Sequence, residues 1–297
     1  IQEIVFPELP DSERKRQQFE AWRSRVEEEE KEWLNELTSR YVDDVNGGPL
    51  NEEAVEAAEE EEMKFVRSSR LYTKVLRSSI PGKKVIPTRW VRTNKGTEEK
   101  PSIRCRIVAK EIKKYDDDSL FAATPPLESL KLLLAIAAAR RWALKHIDIK
   151  RAYFHAPALR EVYVEVDERD KKEEEGDVVG RLNFAMYGTR DAASSWEACY
   201  TDVLTKAGYA QGKYSPCVFR KEDVVVTVHG DDFTMTGPDD QLAKAEEMMR
   251  RSFDLKVQDL APGGGGEMII LNRRITSGAA GYVYEPDGKH VNKVLKE

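Results

Sequence analysis

Apolar positions recur along the chain at two different spacings, and each spacing predicts one kind of secondary structure. Residues 12–40 carry large apolar side chains three, four and seven positions apart, the spacing of an amphipathic helix. A second, acidic helix is predicted at 51–70, and strands alternate with helices from residue 85 onward. The pattern predicts an acidic helical extension over residues 1–51 and a mixed region of helices and strands over 52–297.

Within the mixed region, prolines, glycines and changes of period mark the ends of the elements. Strands are predicted at 145–154 (KHIDIKRAYF) and 161–166 (EVYVEV), and the run 216–237 predicts three strands joined by two turns. Helices are predicted at 125–141, 191–208 and 238–253. The last helix begins with acidic and ends with basic residues, which complements its dipole.

Charge is distributed unevenly, although the net charge of the 297 residues is only -6. Residues 1–63 hold 20 acidic and 7 basic residues, whereas the block 64–114 holds 16 basic and 3 acidic ones. Phosphate contacts require such a basic block, while the alternative is a solvated surface. The strand-like runs IPTRWVRT and IRCRIVAK within the block favour a nucleic-acid interface.

Several classes of protein are excluded by composition. Three scattered cysteines and four histidines without a paired spacing argue against a disulfide framework and a structural zinc site. The longest apolar run, Leu132–Ala139, is too short to span a membrane, and no signal peptide opens the chain. We expect an intracellular protein, in a cytoplasmic particle or the nucleus. The absence of an initiator methionine suggests a piece of a longer polyprotein.

Paired aspartates occur at several places, and only one pair lies in a pattern that predicts a metal site. Asp43-Asp44 follows the acidic helix and precedes a glycine turn, which predicts a solvated helix end. Asp231-Asp232, by contrast, follows a five-residue strand signal, and Gly230 is the residue that a type II′ hairpin turn prefers at its first central position. Such a turn places two carboxylates at a rigid tip.

A third carboxylate lies on another predicted strand. Ile147 and Ile149 share one face by the two-residue period, so Asp148 points to the other face. The ordinary interpretation is a partly exposed strand position. Together with Asp231 and Asp232, however, Asp148 could hold two divalent cations about 4 Å apart. Carboxylate and phosphate oxygens favour Mg²⁺ or Mn²⁺.

Six segments, in order, resemble one known family. They are GKKVIPTRWVRTNKG, RCRIVAKEIKK, HIDIKRAYFHAPALREVYVEV, RLNFAMYGTRDAASSWEACYTDVLTKAGY, VVVTVHGDDFTMTG and SFDLKVQDL. Their order and spacing are similar to those of the reverse transcriptases of copia-type LTR retrotransposons, from about residue 52 to the end. The resemblance implies an α+β fold: a polymerase palm with an antiparallel sheet, and a basic fingers subdomain over about 85–125.

The resemblance also implies an activity and its partners. The activity is RNA-directed DNA synthesis on an RNA or DNA template with a primer, from deoxynucleoside triphosphates and two Mg²⁺ or Mn²⁺ ions. Asp148 and Asp231 would bridge both ions, and Asp232 would be the third carboxylate. The ribonuclease H and integrase regions of such a polyprotein are missing from this sequence.

Further residues acquire substrate-binding roles by the same resemblance. Arg106 and Lys110 would contact the triphosphate, Tyr153 would exclude a 2′-hydroxyl, and Lys256 would protonate the leaving pyrophosphate. The alternatives are surface strand charges for Arg106 and Lys110 and a core aromatic for Tyr153. His229-Gly230 departs from the family's Tyr-Val, so the side chain expected against the primer end or nucleotide is missing at Gly230.

Two other functions stay open from the sequence. A decayed or repurposed remnant would bind nucleic acid without catalysis, or serve as an interaction module through its acidic helices. The family's Gln-Ala-Pro-Arg stretch is replaced by DAASS at 191–195, which favours that alternative. A metal-dependent nuclease is a third possibility, against which the sequence shows no paired Asp/Glu-x-Lys spacing.

Overall fold

The computed structural model describes residues 40–97, 99–111 and 125–286. The helix predicted at 12–40 therefore lies outside the described residues except for Arg40, and the predicted boundary at residue 51 stays a prediction. The four described helices are α1 (Glu52–Ser68), α2 (Leu127–Arg140), α3 (Ala192–Lys206) and α4 (Asp239–Ser252). They agree with the helices predicted at 51–70, 125–141, 191–208 and 238–253.

Fifteen strands lie among the described residues. They are β1 (Tyr72–Leu76), β2 (Val85–Ile86), β3 (Thr88–Asn94), β4 (Ile103–Ala109), β5 (Ala143–Ile149), β6 (Tyr163–Glu165), β7 (Val178–Leu182), β8 (Ala210–Gln211), β9 (Val218–Lys221), β10 (Val224–His229), β11 (Asp232–Gly237), β12 (Leu255–Leu260), β13 (Glu267–Ile270), β14 (Arg273–Gly278) and β15 (Gly281–Glu285).

The described residues form two compact units, one from those within 1–67 and 89–107 and one from those within 68–88 and 108–297. In the first unit, α1 buries Val55, Met63 and Val66 along one face, as its apolar spacing requires. Val55 packs with Cys105 of β4 and with the loop before α1. Two arginines pair with buried glutamates of α1: Arg92 with Glu59 at 2.6 Å and Arg106 with Glu62 at 3.7 Å.

The loop that contains Asp43-Asp44 is structured differently from the predicted solvated helix end. Val42 bridges Pro49 in extended backbone, and Asp43 is buried. The Asp43 carboxylate accepts hydrogen bonds from the backbone amides of Val45, Asn46 and Asn94, and Asn94 belongs to β3. The prediction of a solvated helix end is wrong because this carboxylate ties the loop to the hairpin of β3 and β4.

The second unit is built on a six-stranded antiparallel sheet in the order β12-β5-β11-β10-β9-β8. A four-stranded sheet (β1-β7-β6-β2) and a three-stranded sheet (β13-β14-β15) accompany it. The three strands predicted over 216–237 are confirmed as β9, β10 and β11. The strand predicted over 145–154 ends at Ile149, because Arg151 is left-handed (φ 50°) and a 3₁₀ turn follows at Ala152–His155.

One face of the six-stranded sheet carries the main apolar core. Ile147 of β5, Phe233 of β11 and Val228 of β10 are fully buried there, with Trp196 of α3 and Met249 of α4. The prediction of helices on the sheet face opposite Asp148 is therefore confirmed for α3 and α4. Helix α2 differs, because it packs on the same face as Asp148, around Leu144 at the other end of β5.

A buried cation fixes β5 from the core face. Lys145 is 7% exposed, and its Nζ lies 2.5 Å from Glu246 of α4 and 2.6 Å from Asp259 of β12. Burial alone would lower the pKa of Lys145, but hydrogen bonds from the ammonium to Asp259 and Glu246 raise it overall. The charge is thereby kept, and it joins a helix to two neighbouring strands.

Across the described part of the chain, every helix is too short or too polar to cross a bilayer.

We expect Asp43→Asn to destabilise the protein by about 1–3 kcal/mol, because an amide places two protons near donors that already need an acceptor. The measurement is the free energy of urea unfolding of parent and variant. Asp202→Asn is the matched control, since the Asp202 carboxylate forms an exposed i,i+4 pair with Lys206 in α3. An equal loss of unfolding free energy in both variants would contradict the role of Asp43 as the acceptor that ties the loop to β3.

The same substitution should remove a pH-dependent part of the stability. Hydrogen bonds from the Asn94 and Asn46 backbone amides hold the pKa of Asp43 well below its usual range. A carboxylate whose pKa is lower in the folded than in the unfolded state stabilises the fold at pH values above its unfolded pKa of about 3.9. That contribution to stability is lost as the pH falls below this value. The stability difference between parent and Asp43→Asn should therefore be constant above about pH 5 and shrink on acidification.

Candidate active site

Two rows of polar side chains cross one face of the six-stranded sheet. Register pairs Lys256 of β12 with Asp148 of β5, Asp148 with Asp232 of β11, and Asp232 with His229 of β10. These four residues form the outer row. Directly opposed residues in antiparallel strands have Cβ atoms about 4.5–5.5 Å apart. The structure thus brings together two of the predicted carboxylates, Asp148 and Asp232, with the predicted Lys256 beside them.

The inner row lies two residues further along each strand, and therefore on the same face. It contains Gln258, His146, Thr234 and Thr227, paired in that order across β12, β5, β11 and β10. The next row on this face is largely apolar, and Leu144 and Leu260 in it pack beneath α2. The polar surface is therefore confined to the end of the sheet next to the β10–β11 turn.

That turn consists of Gly230 and Asp231, since His229 pairs directly with Asp232. Gly230 has a φ of +64°, and Asp231 is not among the described residues with positive φ, a combination typical of type II′. The turn is held on both sides: the Asp231 carbonyl accepts from the Ile149 amide at 3.0 Å, and the Gly230 carbonyl accepts from the Trp196 indole at 2.7 Å. Both aspartates therefore lie on fixed backbone.

His146 belongs to this site, although sequence reasoning missed it. Its Nε2 lies 3.3 Å from Oδ1 of Asp232, and its Nδ1 lies 3.2 Å from the Thr234 hydroxyl. The signal in the sequence was its position two residues before Asp148, which places both side chains on one face. The sequence does not identify Asp232 as the partner of His146, because that contact depends on the register between β5 and β11.

Two cavities flank Asp232. The first, about 410 Å³, is lined by His146, Asp148, Asp232, Lys256, Gln258, Ile269, Leu271 and Asn272. The second, about 350 Å³, lies between the start of α2, the sheet and the β13–β14 turn. That turn contributes Leu271 and Asn272, both with positive φ (51° and 60°), to both cavities.

Tyr153 lies close enough to Asp231 to respond to its charge. Burial, and then the negative charge of Asp231, raise the pKa of the Tyr153 phenol. Its ring stacks obliquely against Tyr187 with 4.6 Å between centroids and packs at the border of the main core. Tyr153 is therefore a half-buried aromatic beside Asp231, and its role against a 2′-hydroxyl stays a prediction.

Arg106 and Lys110 occupy different settings. Arg106 belongs to the first unit, where its side chain is only 18% exposed and faces Glu62. Lys110 follows β4 in the second unit and is exposed, with its backbone amide bonded to Pro87. Many cations of the basic block are paired within the chain, among them Arg77 with Glu165 and Lys83 with Glu161. The block is therefore less available to phosphate than its composition suggested.

The residue after Lys110 is anchored by a buried charge network. Glu111 is 5% exposed and accepts from the side chains of Arg160 and Arg190, and Arg160 also binds Asp191 at 2.9 Å. Burial would raise the pKa of Glu111, but the hydrogen bond from Arg160 and the amide of Arg190 lower it overall. This network joins the chain after β4 to the start of α3.

The donor chemistry of the site suits a hard cation, because Asp148 and Asp232 oppose each other on β5 and β11 and Asp231 lies in the adjoining turn. A preformed cluster of three or more potential metal ligands is not found among residues 40–97, 99–111 and 125–286. The contact of His146 with Asp232 directs one carboxylate toward an imidazole.

Comparison with known proteins decides the family. Residues 72–264, well over half of the chain, match the family described as reverse transcriptase (RNA-dependent DNA polymerase). The chain belongs to the reverse transcriptase family. The matched range includes both polar rows and the β10–β11 turn, and the resemblance to the copia-type enzymes is confirmed.

Named relatives of this reverse transcriptase are retrotransposon polyproteins. It is 25% identical over 251 residues to the retrovirus-related Pol polyprotein from transposon TNT 1-94 of Nicotiana tabacum, covering 80% of this chain and 18% of that one. It is 24% identical over 173 residues to that from transposon RE2 of Arabidopsis thaliana, covering 55% and 12%. The chain therefore spans less than a fifth of either polyprotein.

Among solved structures, apo telomerase from Candida tropicalis has a TM-score of 0.49 and 10% identity, covering 82% of this chain and 55% of that one. The family assignment stands on the sequence match alone.

Replacing Gly230 with valine should destabilise the protein by roughly 1–3 kcal/mol, because positive φ is strained for a β-branched residue. A Cβ at Gly230 meets nothing within 4 Å, so the cost is conformational and not steric. We also expect stronger discrimination among nucleotides, because the family resemblance implies a side chain at this position against the primer end or the nucleotide.

The measurements are urea unfolding and single-nucleotide incorporation rates. Gly278→Val is the matched control, because a Cβ there also meets nothing within 4 Å while its φ is not positive. Equal stability of parent and Gly230→Val would contradict the assigned turn.

Proposed function

We propose that this chain is the catalytic polymerase segment of a retrotransposon Pol polyprotein and synthesises DNA on an RNA or DNA template. The observation that carries the proposal is the register that sets Asp148 opposite Asp232, next to the turn that holds Asp231. Membership of the reverse transcriptase family supports it. The reaction joins a primer 3′-hydroxyl to the α-phosphate of a deoxynucleotide and releases pyrophosphate.

Asp148 and Asp231 would hold two Mg²⁺ or Mn²⁺ ions between them, with Asp232 as the third carboxylate. Such ions, when bound, lower the pKa of the primer hydroxyl and neutralise charge on the triphosphate. The protein's own contribution is rigid placement. The hydrogen bonds from Ile149 and Trp196 to the turn fix the backbone of Asp231 before any substrate arrives.

The remaining residues would act on the nucleotide. Lys256, exposed beside Asp148 in the outer row, would donate a proton to the leaving pyrophosphate. Tyr153, beside Asp231, would occupy the space of a ribose 2′-hydroxyl. Lys110 would contact the triphosphate, and the same role stays a prediction for Arg106. Gly230 would leave room at the primer end, because a side chain is absent there.

A non-catalytic nucleic-acid-binding remnant is the second candidate, and one observation favours it. The stretch DAASS at 191–195 stands where the family has Gln-Ala-Pro-Arg, so side chains expected against the template and the nucleotide are replaced there. In that case the polar rows would bind a template–primer without turnover. Incorporation assays distinguish the two functions directly.

Asp231→Asn should abolish nucleotide incorporation on poly(rA)/oligo(dT) with Mg²⁺ or Mn²⁺, because it removes a charge that both ions would share. Template–primer affinity should be largely unchanged in the same variant. Asp223→Asn is the matched control, since Asp223 is an exposed aspartate in the β9–β10 turn at the other end of β10. It should incorporate at the parental rate.

Affinity for the template–primer should fall steeply as salt is raised from about 50 to 200 mM, because phosphate contacts release counterions. Incorporation by Asp231→Asn at the parental rate would contradict the catalytic role. Binding by parent and variant without any incorporation would instead favour the remnant.

A further inference from the structure

The inner polar row contains a buried pair for which the proposed chemistry has no use. His146 is 8% exposed and Thr234 is 3% exposed, and they face each other directly across β5 and β11. Burial of a neutral imidazole and a hydroxyl is unfavourable unless both are hydrogen-bonded. In this pair, the Thr234 hydroxyl lies 3.2 Å from Nδ1 of His146.

The surroundings of the imidazole determine which nitrogen carries the proton. An ionised carboxylate only accepts hydrogen bonds, so Nε2, 3.3 Å from Asp232 Oδ1, must carry a proton for a favourable contact. A neutral ring then has Nδ1 as its acceptor, and the Thr234 hydroxyl donates to it. For a neutral imidazole, the order of donation is therefore Thr234 to His146 to Asp232.

We propose that His146, oriented by Thr234, is a positioning residue that holds the Asp232 carboxylate in the orientation required next to Asp148. The inference rests on the proposed polymerase function. It assigns His146 no contact with substrate. Outer-shell partners of this kind restrict the rotation of a carboxylate, and their loss typically costs about 10–100-fold in metal affinity or activity.

The neighbouring rows supply a control for packing alone. Thr236 lies two residues beyond Thr234 on the same strand and face, is fully buried, and donates to the Ala143 carbonyl at 3.0 Å. It takes no part in the contact with His146. Thr234→Val and Thr236→Val therefore make the same chemical change at two buried sites, of which only the first affects Asp232.

The activity test compares four variants with the parent in single-nucleotide incorporation. His146→Ala and Thr234→Val should lower kcat roughly 10–100-fold with little change in KM for the nucleotide. His146→Gln should recover most of kcat, because an amide can accept from Thr234 and donate to Asp232. Thr236→Val should keep kcat within about twofold. Urea unfolding of all four confirms that each is folded under assay conditions.

Two further measurements do not depend on activity. Long-range ¹H–¹⁵N spectra should show the Nε2-protonated tautomer of His146 in the parent. In Thr234→Val they should show a mixture of the two tautomers. Mn²⁺ titration followed by water-proton relaxation should show roughly 10–100-fold weaker binding in His146→Ala than in Thr236→Val. These readings test the positioning role even if the parent fails to incorporate nucleotides, which would refute the proposed function separately.

The inference is overturned by any of three results. One is an Nδ1-protonated tautomer in the folded parent. Another is an equal loss of kcat in Thr234→Val and Thr236→Val, which would mean that His146 and Thr234 contribute only packing. The third is parental Mn²⁺ affinity in His146→Ala.

Discussion

The antiparallel register of β5 with β11 is the constraint on which the site depends. Side chains alternate between faces, so a slip of one residue would move Asp148 and His146 into the core and expose Ile147. Ile147 and Phe233 are fully buried against α3 and α4, and that burial makes the slipped register costly. The apolar face of the sheet therefore determines where the carboxylates lie on the other face.

The turn after β10 adds a second constraint that the register alone does not supply. Asp231 lies beyond the last residue pair, so its position depends on the conformation of two residues. Gly230 permits that conformation, and the Trp196 indole binds its carbonyl from within the main core. Helix α3 thus stabilises the sheet by apolar packing and fixes the turn by one hydrogen bond.

Local pattern predicted much of this site, and long-range pairing accounts for what it missed. The two-residue period around Asp148, the valine run before Gly230 and the glycine itself predicted both strands and the turn. The contact of His146 with Asp232 needs the register between strands far apart in the chain. The prediction for Asp43 is wrong for the same reason, because its acceptor role depends on Asn94, 51 residues away. The pairing of Arg106 with Glu62 likewise could not be predicted from the composition of the basic block.

Stability alone would not produce the two polar rows. One row further along the same face, Leu144 and Leu260 pack beneath α2, so the sheet accepts apolar side chains there. Replacing buried hydrogen-bonded groups with apolar ones of similar shape is often neutral or stabilising. The chain nevertheless places His146 and Thr234 where they are nearly inaccessible to solvent, directly beside the carboxylates. Departures from the pattern that stability favours are expected at functional sites, and here the departure extends one row beyond the carboxylates, to His146 and Thr234.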